Sequence, residues 1–481
     1  MERNSALLTD LYELTMAEGY WKEGLRQAEA CFYMHFRNNP FEGGYAIACG
    51  LDHLAKIIDD FTFTDEDIAY LSSLTVPSGN PLFDKDFLEY LRGYKLHLDV
   101  DATPEGTVVF PQEPMVRVMG PLVDCQLIEP ALLNAVNFET LVATKAARIC
   151  NVTKGSVAEF GLRRAQGPDG GLRASRAAFI GGCTSTSNVL CGQVFDIPVS
   201  GTHAHSWVMS FDTELEAFRA FAKAMPENTI LLVDTYDVMQ GIANAVIVGK
   251  EMEERGERLI GIRLDSGDLA WESKKAREML DEAGLDYVKI FATNDLDEFT
   301  IDSLERQGAR IDSWGVGTKL AVAYDQPALG GVYKMSAVKQ TPDSQWEPKI
   351  KLSAQIVKRT LPGILDIRRY MDANGMYCGD MIFDDLSGVS HEMMVDPVDP
   401  VHRKSLAGRT HKTLLTPLAR GGKSVYGQTD CREAQALARE EMAKLDPSYT
   451  RFLNPGSYPV GLEVGLFETR EKLIREHNPN G

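Results

Sequence analysis

Between residues 146 and 340, short apolar, β-branched runs recur, with helical segments between several of them. In order they are SVAEFG, AAFIGG, IPVSGT, TILLVDT, LIGIRLDS, VKIFATN, SWGVGT and GGVYKMS. Each ends in small or polar residues. Strand and helix alternating in this way imply parallel βα units. Eight such runs suggest an α/β fold with an irregular (β/α)8-like barrel, whose site would form at the C-terminal ends of the strands. An open doubly wound sheet is the alternative. The irregularity lies early: RRAQGPDGGLRASR follows the first run, and no long helix separates the second from the third.

At 481 residues the chain is too long for one simple core. Residues 1–145 mix helix and strand. TDLYELTMAEGYWKEG reads as a helix capped at Thr9 or Asp10, and EACFYMHFR as an aromatic-rich strand. Residues 341–481 are a mixed segment. Within it KIKLSAQIVKRTLPGILDIRRYMDANG suggests a strand pair or extension, and DCREAQALAREEMAKLDPSYTRFLNP an amphipathic helix. It is expected to pack on the first block and the barrel. The net charge is −19, with 50 basic and 69 acidic residues. That disfavours nucleic-acid and anionic-membrane surfaces, which need a basic footprint. The eight cysteines form no C-x-x-C pair, so they read as reduced thiols. The N-terminal stretch has no signal-peptide pattern. No window of ~18 residues is apolar and uncharged enough to span a membrane. A cytoplasmic enzyme is expected.

The strand ends carry the chemistry. After the first run come Arg163, Arg164, Arg173 and Arg176, whose planar donors suit phosphate or carboxylate. A solvated basic loop is the plain alternative. After the second stand Ser185, Thr186, Ser187 and Asn188, either an anion site at a helix start or simple N-capping. The third run leads into VSGTHAHSW, with two of the nine histidines, His203 and His205. Either could be a core or surface residue. H-x-H can also be a metal pair, although no carboxylate lies nearby in the sequence. LLVDTYD offers Asp234 and Asp237, and IRLDSGDL offers Arg263, Asp265 and Asp268. Charges at a strand end are expensive to bury alone. They suggest a ligand, a metal such as Mg2+, or one another. FATNDLDE adds Asn294 and Asp295. WGVGTKL adds Gly315, Gly317 and Thr318, where glycine would let backbone N–H groups approach a phosphate.

LLTDLYELTMA, GLRRAQGPDGG, GGCTSTSN, GTHAHSW, IRLDSGDL and GVGTKL occur in this order. Together they closely resemble the nicotinate phosphoribosyltransferase family, from about residue 5 to 335. The resemblance implies a type II phosphoribosyltransferase fold, with the barrel joined by a second α+β domain built from N- and C-terminal segments. It implies homodimers with shared active sites. The implied reaction, in NAD salvage, joins nicotinate to phosphoribosyl pyrophosphate, giving nicotinate mononucleotide and pyrophosphate. ATP hydrolysis would be coupled through a phosphohistidine, placing the enzyme in the ligase class, and Mg2+ is expected.

Carried over by motif, His205 is the phosphorylated histidine and His203 occupies a variable position. Thr202 and Tyr12 look like nicotinate contacts, Tyr12 reaching across the dimer. Arg263 resembles a residue near nicotinate or ribose. Gly315, Gly317 and Thr318 look like a phosphate cradle. Arg163 and Ser187 are weaker carry-overs. Asp265 would stabilise the ribosyl cation or hold the metal; Asp268 and Asp295 are further metal candidates. A nicotinamide or quinolinate enzyme, or a non-catalytic protein on the same scaffold, are the competing readings.

Overall fold

The computed structural model describes residues 6–353, 355, 358–427 and 430–477. Met1–Ser5, and residues 354, 356 and 357 within the expected 349–375 extension, lie outside the described residues. The chain forms two compact units, Met1–Leu141 with Ala328–Gly481, and Val142–Pro327.

The first unit is α+β and takes strands from both ends of the sequence. Its seven-stranded sheet runs Glu347–Pro348, Gly331–Lys339, Glu29–Phe36, Val116–Pro121, Asp99–Ala102, Thr416–Arg420 and Lys423–Ser424, antiparallel throughout. Gly331–Lys339 contains all of GGVYKMS but its first glycine. That run is therefore the partner of Glu29–Phe36, not the eighth strand of a barrel. A six-stranded mixed sheet is built from Leu365–Met371, Tyr377–Asp384, Val460–Glu463 and three further short strands. Arg369 is fully buried between the segments. It meets Asp380 at 2.5 Å, Glu441 at 2.9 Å and the Val108 carbonyl at 2.7 Å. Gly106 (φ 91°) is pressed against the Ala434 carbonyl of helix Cys431–Ala443, where a Cβ would not fit. That helix is the amphipathic one expected from the sequence.

The second unit holds a six-stranded parallel sheet. In chain order the strands are Ser156–Glu159, Ser185–Thr186, Ile230–Leu232, Gly261–Leu264, Lys289–Ala292 and Ser313–Val316. Each pairs with a sequence neighbour, except that the last also pairs with the first. That is the order of a barrel. One further bridge joins Thr186 to Val199. Among the described residues no strand ladder joins Val199 to Ile230–Leu232, so one seam is open.

Two of the expected runs are not ladder strands, AAFIGG and IPVSGT, the latter forming only the single bridge at Val199. AAFIGG is not a strand: residues 177–180 end helix Gly167–Ile180, and its Ala-rich side chains are buried on every face. The second strand is instead the short Ser185–Thr186 pair.

Candidate active site

Every group singled out at a strand end in the second unit can be placed. Val157–Glu159 are buried in the first strand, and Glu159 is 1% exposed. Its carboxylate accepts from Ser175 Oγ at 2.8 Å, Thr186 Oγ1 at 2.6 Å and the Gly161 N–H. Sequence reasoning passed over Glu159, although a carboxylate inside an apolar run is itself a signal. Arg163 follows in the turn Leu162–Arg164 and is exposed. Arg173 and Arg176 do not share its loop. They sit on helix Gly167–Ile180, buried, with Arg176 stacked 5.4 Å from the Phe195 ring. The expected four-arginine loop is thus split between a turn and a helix.

Ser187 is half-buried and donates its N–H to the Glu159 carbonyl at 2.9 Å. Asn188 caps helix Val189–Phe195 through Cys191 N at 3.3 Å, the plain reading of that stretch.

His205 opens the short helix His205–Met209. Its Nδ1 is 3.1 Å from Thr235 Oγ1 and its Nε2 is 3.6 Å from Asp265 Oδ2. The carboxylate missing from the local sequence is supplied sixty residues on. The imidazole is 40% and the carboxylate 35% exposed, so both are supported yet reachable. Thr293 Oγ1 donates to Asp265 Oδ1. Asp234 Oδ2 accepts from Asp265 N at 3.0 Å and Ser266 Oγ at 2.6 Å. Arg263 donates to Thr202 Oγ1. Burial holds its guanidinium below the usual arginine range, with Arg163 nearby adding to the effect against Asp265 and Asp234. Arg263 Nε and Asp234 Oδ1 are buried without a hydrogen-bond partner among the described residues. Two opposite, unsatisfied groups at adjacent strand ends fit a polar ligand bridging them.

His203 is turned into the protein. It is 7% exposed, and its Nε2 accepts the Leu232 N–H at 3.2 Å. Thr235, which orients His205, carried no sequence signal beyond its place after a strand.

Gly315 is buried in the last strand, paired with Ala158. A Cβ there would lie 2.6 Å from Thr293 and 2.7 Å from the Phe160 ring. Clearance explains it. Gly317 and Thr318 are half-buried where helix Thr318–Ala321 begins. Tyr12 belongs to the first unit, on helix Leu11–Lys22, with half its surface exposed. Burial of its hydroxyl, with Glu13 beside it, keeps the phenol above its ordinary range.

The metal candidates do not form one ligand set. Asp268 caps helix Leu269–Glu282 through Trp271 N at 3.1 Å, and Asp295 is exposed. Among the described residues, the only three His, Cys, Asp or Glu side chains with ligand atoms within 4.8 Å of one another are Cys49, Glu105 and Glu139, in the first unit. Glu105 there accepts the Gly50 and Leu51 N–H groups at 2.8 and 3.0 Å, which serves the start of helix Leu51–Asp60.

Imidazole, guanidinium, carboxylates and hydroxyls gathered at the C-terminal ends of a parallel sheet define an α/β enzyme. Comparison with known proteins specifies it further. Three family models match: the nicotinate phosphoribosyltransferase N-terminal domain over 7–137, the family itself over 156–386 and its C-terminal domain over 366–470. A nicotinate phosphoribosyltransferase of Bacillus subtilis is 43% identical, covering 98% of this chain and 95% of that protein. The one from Homo sapiens is 33% identical over 98% and 97%. The crystal structure of human nicotinic acid phosphoribosyltransferase superposes with a TM-score of 0.84 at 32% identity, covering 97% of this chain and 99% of that one. A nicotinate-nucleotide pyrophosphorylase from Pyrococcus furiosus shares the fold, with a TM-score of 0.69 at 22% identity. The chain belongs to the nicotinate phosphoribosyltransferase family. Among the described residues no helix is long and apolar enough to cross a membrane.

Proposed function

We propose that the protein joins nicotinate to phosphoribosyl pyrophosphate in NAD salvage, releasing nicotinate mononucleotide and pyrophosphate, with ATP hydrolysis coupled through phosphorylation of His205. Family membership supports the base and the reaction. The observation that carries the coupling is the His205 ring, held between Thr235 and Asp265 yet open to solvent. In the neutral ring one nitrogen donates its N–H and the other keeps a lone pair to attack the γ-phosphorus as ADP leaves. Asp265 stabilises the positive charge that develops on the ring as the P–N bond forms.

In the transfer itself, the pyridine nitrogen attacks the anomeric carbon as the bond to pyrophosphate breaks. The unsatisfied Arg263 and Asp234 groups, with Thr202, are the charged and polar contacts available to the substrates, and fixed dipoles act at little reorganisation cost. Arg163, Ser187, Gly317 and Thr318 bind phosphate, and Tyr12 of a second copy contacts nicotinate in a shared site of a homodimer. Mg2+ fits the residues present. It takes one or two carboxylates alongside phosphate oxygens, and Asp265 or Asp295 would hold it. When bound it neutralises the pyrophosphate leaving group. The cytoplasm, where these substrates occur, is the proposed location.

The test is consumption of nicotinate, nicotinamide and quinolinate, side by side, with phosphoribosyl pyrophosphate and Mg2+, with and without ATP. Nicotinate alone is consumed, faster with ATP. No consumption of nicotinate overturns the reading; preference for nicotinamide replaces it with the sister activity.

A further inference from the structure

The His203 side chain reaches across the open seam of the parallel sheet. In parallel strands, successive residues point their N–H groups to opposite neighbours. Val233 N–H donates to the Arg263 carbonyl at 3.1 Å, on the paired side. The Leu232 N–H therefore faces the seam, at a residue that is 0% exposed. An unmet buried N–H is costly. His203 Nε2 accepts it at 3.2 Å, while His203 Nδ1 lies 3.3 Å from the Ala204 carbonyl. Those partners select one tautomer, Nδ1–H with a lone pair on Nε2. The Phe221 ring packs edge-on at 4.7 Å and the Phe218 ring stands 6.3 Å away. Burial, with Arg263 and His205 as the nearby basic groups, pushes the His203 pKa down to about 4, so the ring stays a neutral acceptor.

The two residues beyond Val233 act in the site. Asp234 holds the Asp265 N–H and Ser266, and Thr235 holds His205. The segment 202–205 thus meets the segment 232–235 at two rungs, His203 to Leu232 and His205 to Thr235. We propose that His203 is a positioning residue, a clamp across the seam that fixes His205 in register with Thr235 and Asp265 for phosphoryl transfer. The inference rests on the proposed role of His205 as phosphoryl acceptor. His203 itself touches no reacting atom.

Full-length His203→Phe and His203→Gln test it. Phenylalanine keeps the packing on Phe221 but accepts nothing; glutamine presents an oxygen where Nε2 stood. Two readouts are compared with wild type: amide exchange of the peptide spanning residues 229–235, and the rate of acid-labile label transfer from γ-phosphate-labelled ATP to His205. In His203→Phe both change about tenfold or more, exchange faster and labelling slower, while the KM for nicotinate stays within twofold. His203→Gln recovers most of both. Wild-type exchange in His203→Phe overturns the clamp. Faster exchange with wild-type labelling overturns the positioning role, and a glutamine variant as impaired as phenylalanine assigns the loss to packing. If phenylalanine prevents folding, His203→Leu makes the same comparison. Absence of label on wild-type His205 overturns the role of His205, and the proposal with it. The exchange arm still reads the clamp alone, so the two failures are told apart.

Discussion

Gly315→Ala probes how tightly the site is built onto the sheet. The added Cβ would stand 2.6 Å from Thr293 Cγ2 and 2.7 Å from the Phe160 ring. Carbon atoms rest comfortably at about 3.5–4.0 Å, so about 1 Å must be recovered by movement. Overpacking of this kind costs ~1–3 kcal/mol. The neighbour that moves matters more than the cost. Thr293 donates its hydroxyl to Asp265, which faces His205. A displacement on the order of 1 Å in such a group costs up to about 10²-fold in rate. Steady-state turnover and a denaturant midpoint are measured on Gly315→Ala beside Gly170→Ala. Gly170 lies in helix Gly167–Ile180 with no heavy atom within 4 Å of an added Cβ. It should gain roughly 0.5–1 kcal/mol and keep full activity. A Gly315→Ala protein with wild-type turnover and midpoint refutes the argument that the strand ends have no room to give.

His205→Ala should lose all acid-labile label from γ-labelled ATP; label retained at the wild-type level would move the acceptor elsewhere. Tyr12→Ala should raise the KM for nicotinate several-fold, and an unchanged KM removes it from the site. Arg369→Met should destabilise the protein by about 3–5 kcal/mol, because it strands buried Asp380 and Glu441; a denaturant midpoint close to wild type would show that the cluster contributes little. Folded His203 stays neutral down to about pH 4, whereas an unfolded histidine takes up a proton below about 6.5. Acidification across that window therefore favours the unfolded chain. His203→Gln should flatten the fall in urea midpoint between pH 6.5 and 4, and an unaltered slope would contradict the assigned burial.

The parallel strands were legible where an apolar run ends in small, polar or charged residues: TILLVDT, LIGIRLDS, VKIFATN and SWGVGT all contribute strands to the sheet. AAFIGG misled because a helix buried on every face shows no period. GGVYKMS is a genuine strand, but its partner lies three hundred residues earlier, and local pattern carries no pairing. In the site, residue types were readable and partnerships were not. Asp265 was visible as an expensive charge, yet nothing in GTHAHSW says that its histidine will face residue 265. His203 and Glu159 were underread for one reason. A polar side chain serving the backbone or its neighbours looks like any other until the strands are assembled.

The first unit's two-part construction also sets a schedule. Glu29–Phe36 needs Gly331–Lys339 on one edge, and Arg369 links Val108 to Asp380 and Glu441. During synthesis at about 5–20 residues per second, the early strand waits roughly 15–60 s for that edge partner. The whole of Val142–Pro327 emerges in the interval. The inserted unit can therefore finish folding first, while the strand EACFYMHF, buried along nearly its whole length in the finished fold, remains half-covered. The vulnerable moment in the life of this chain falls before its C-terminal third exists.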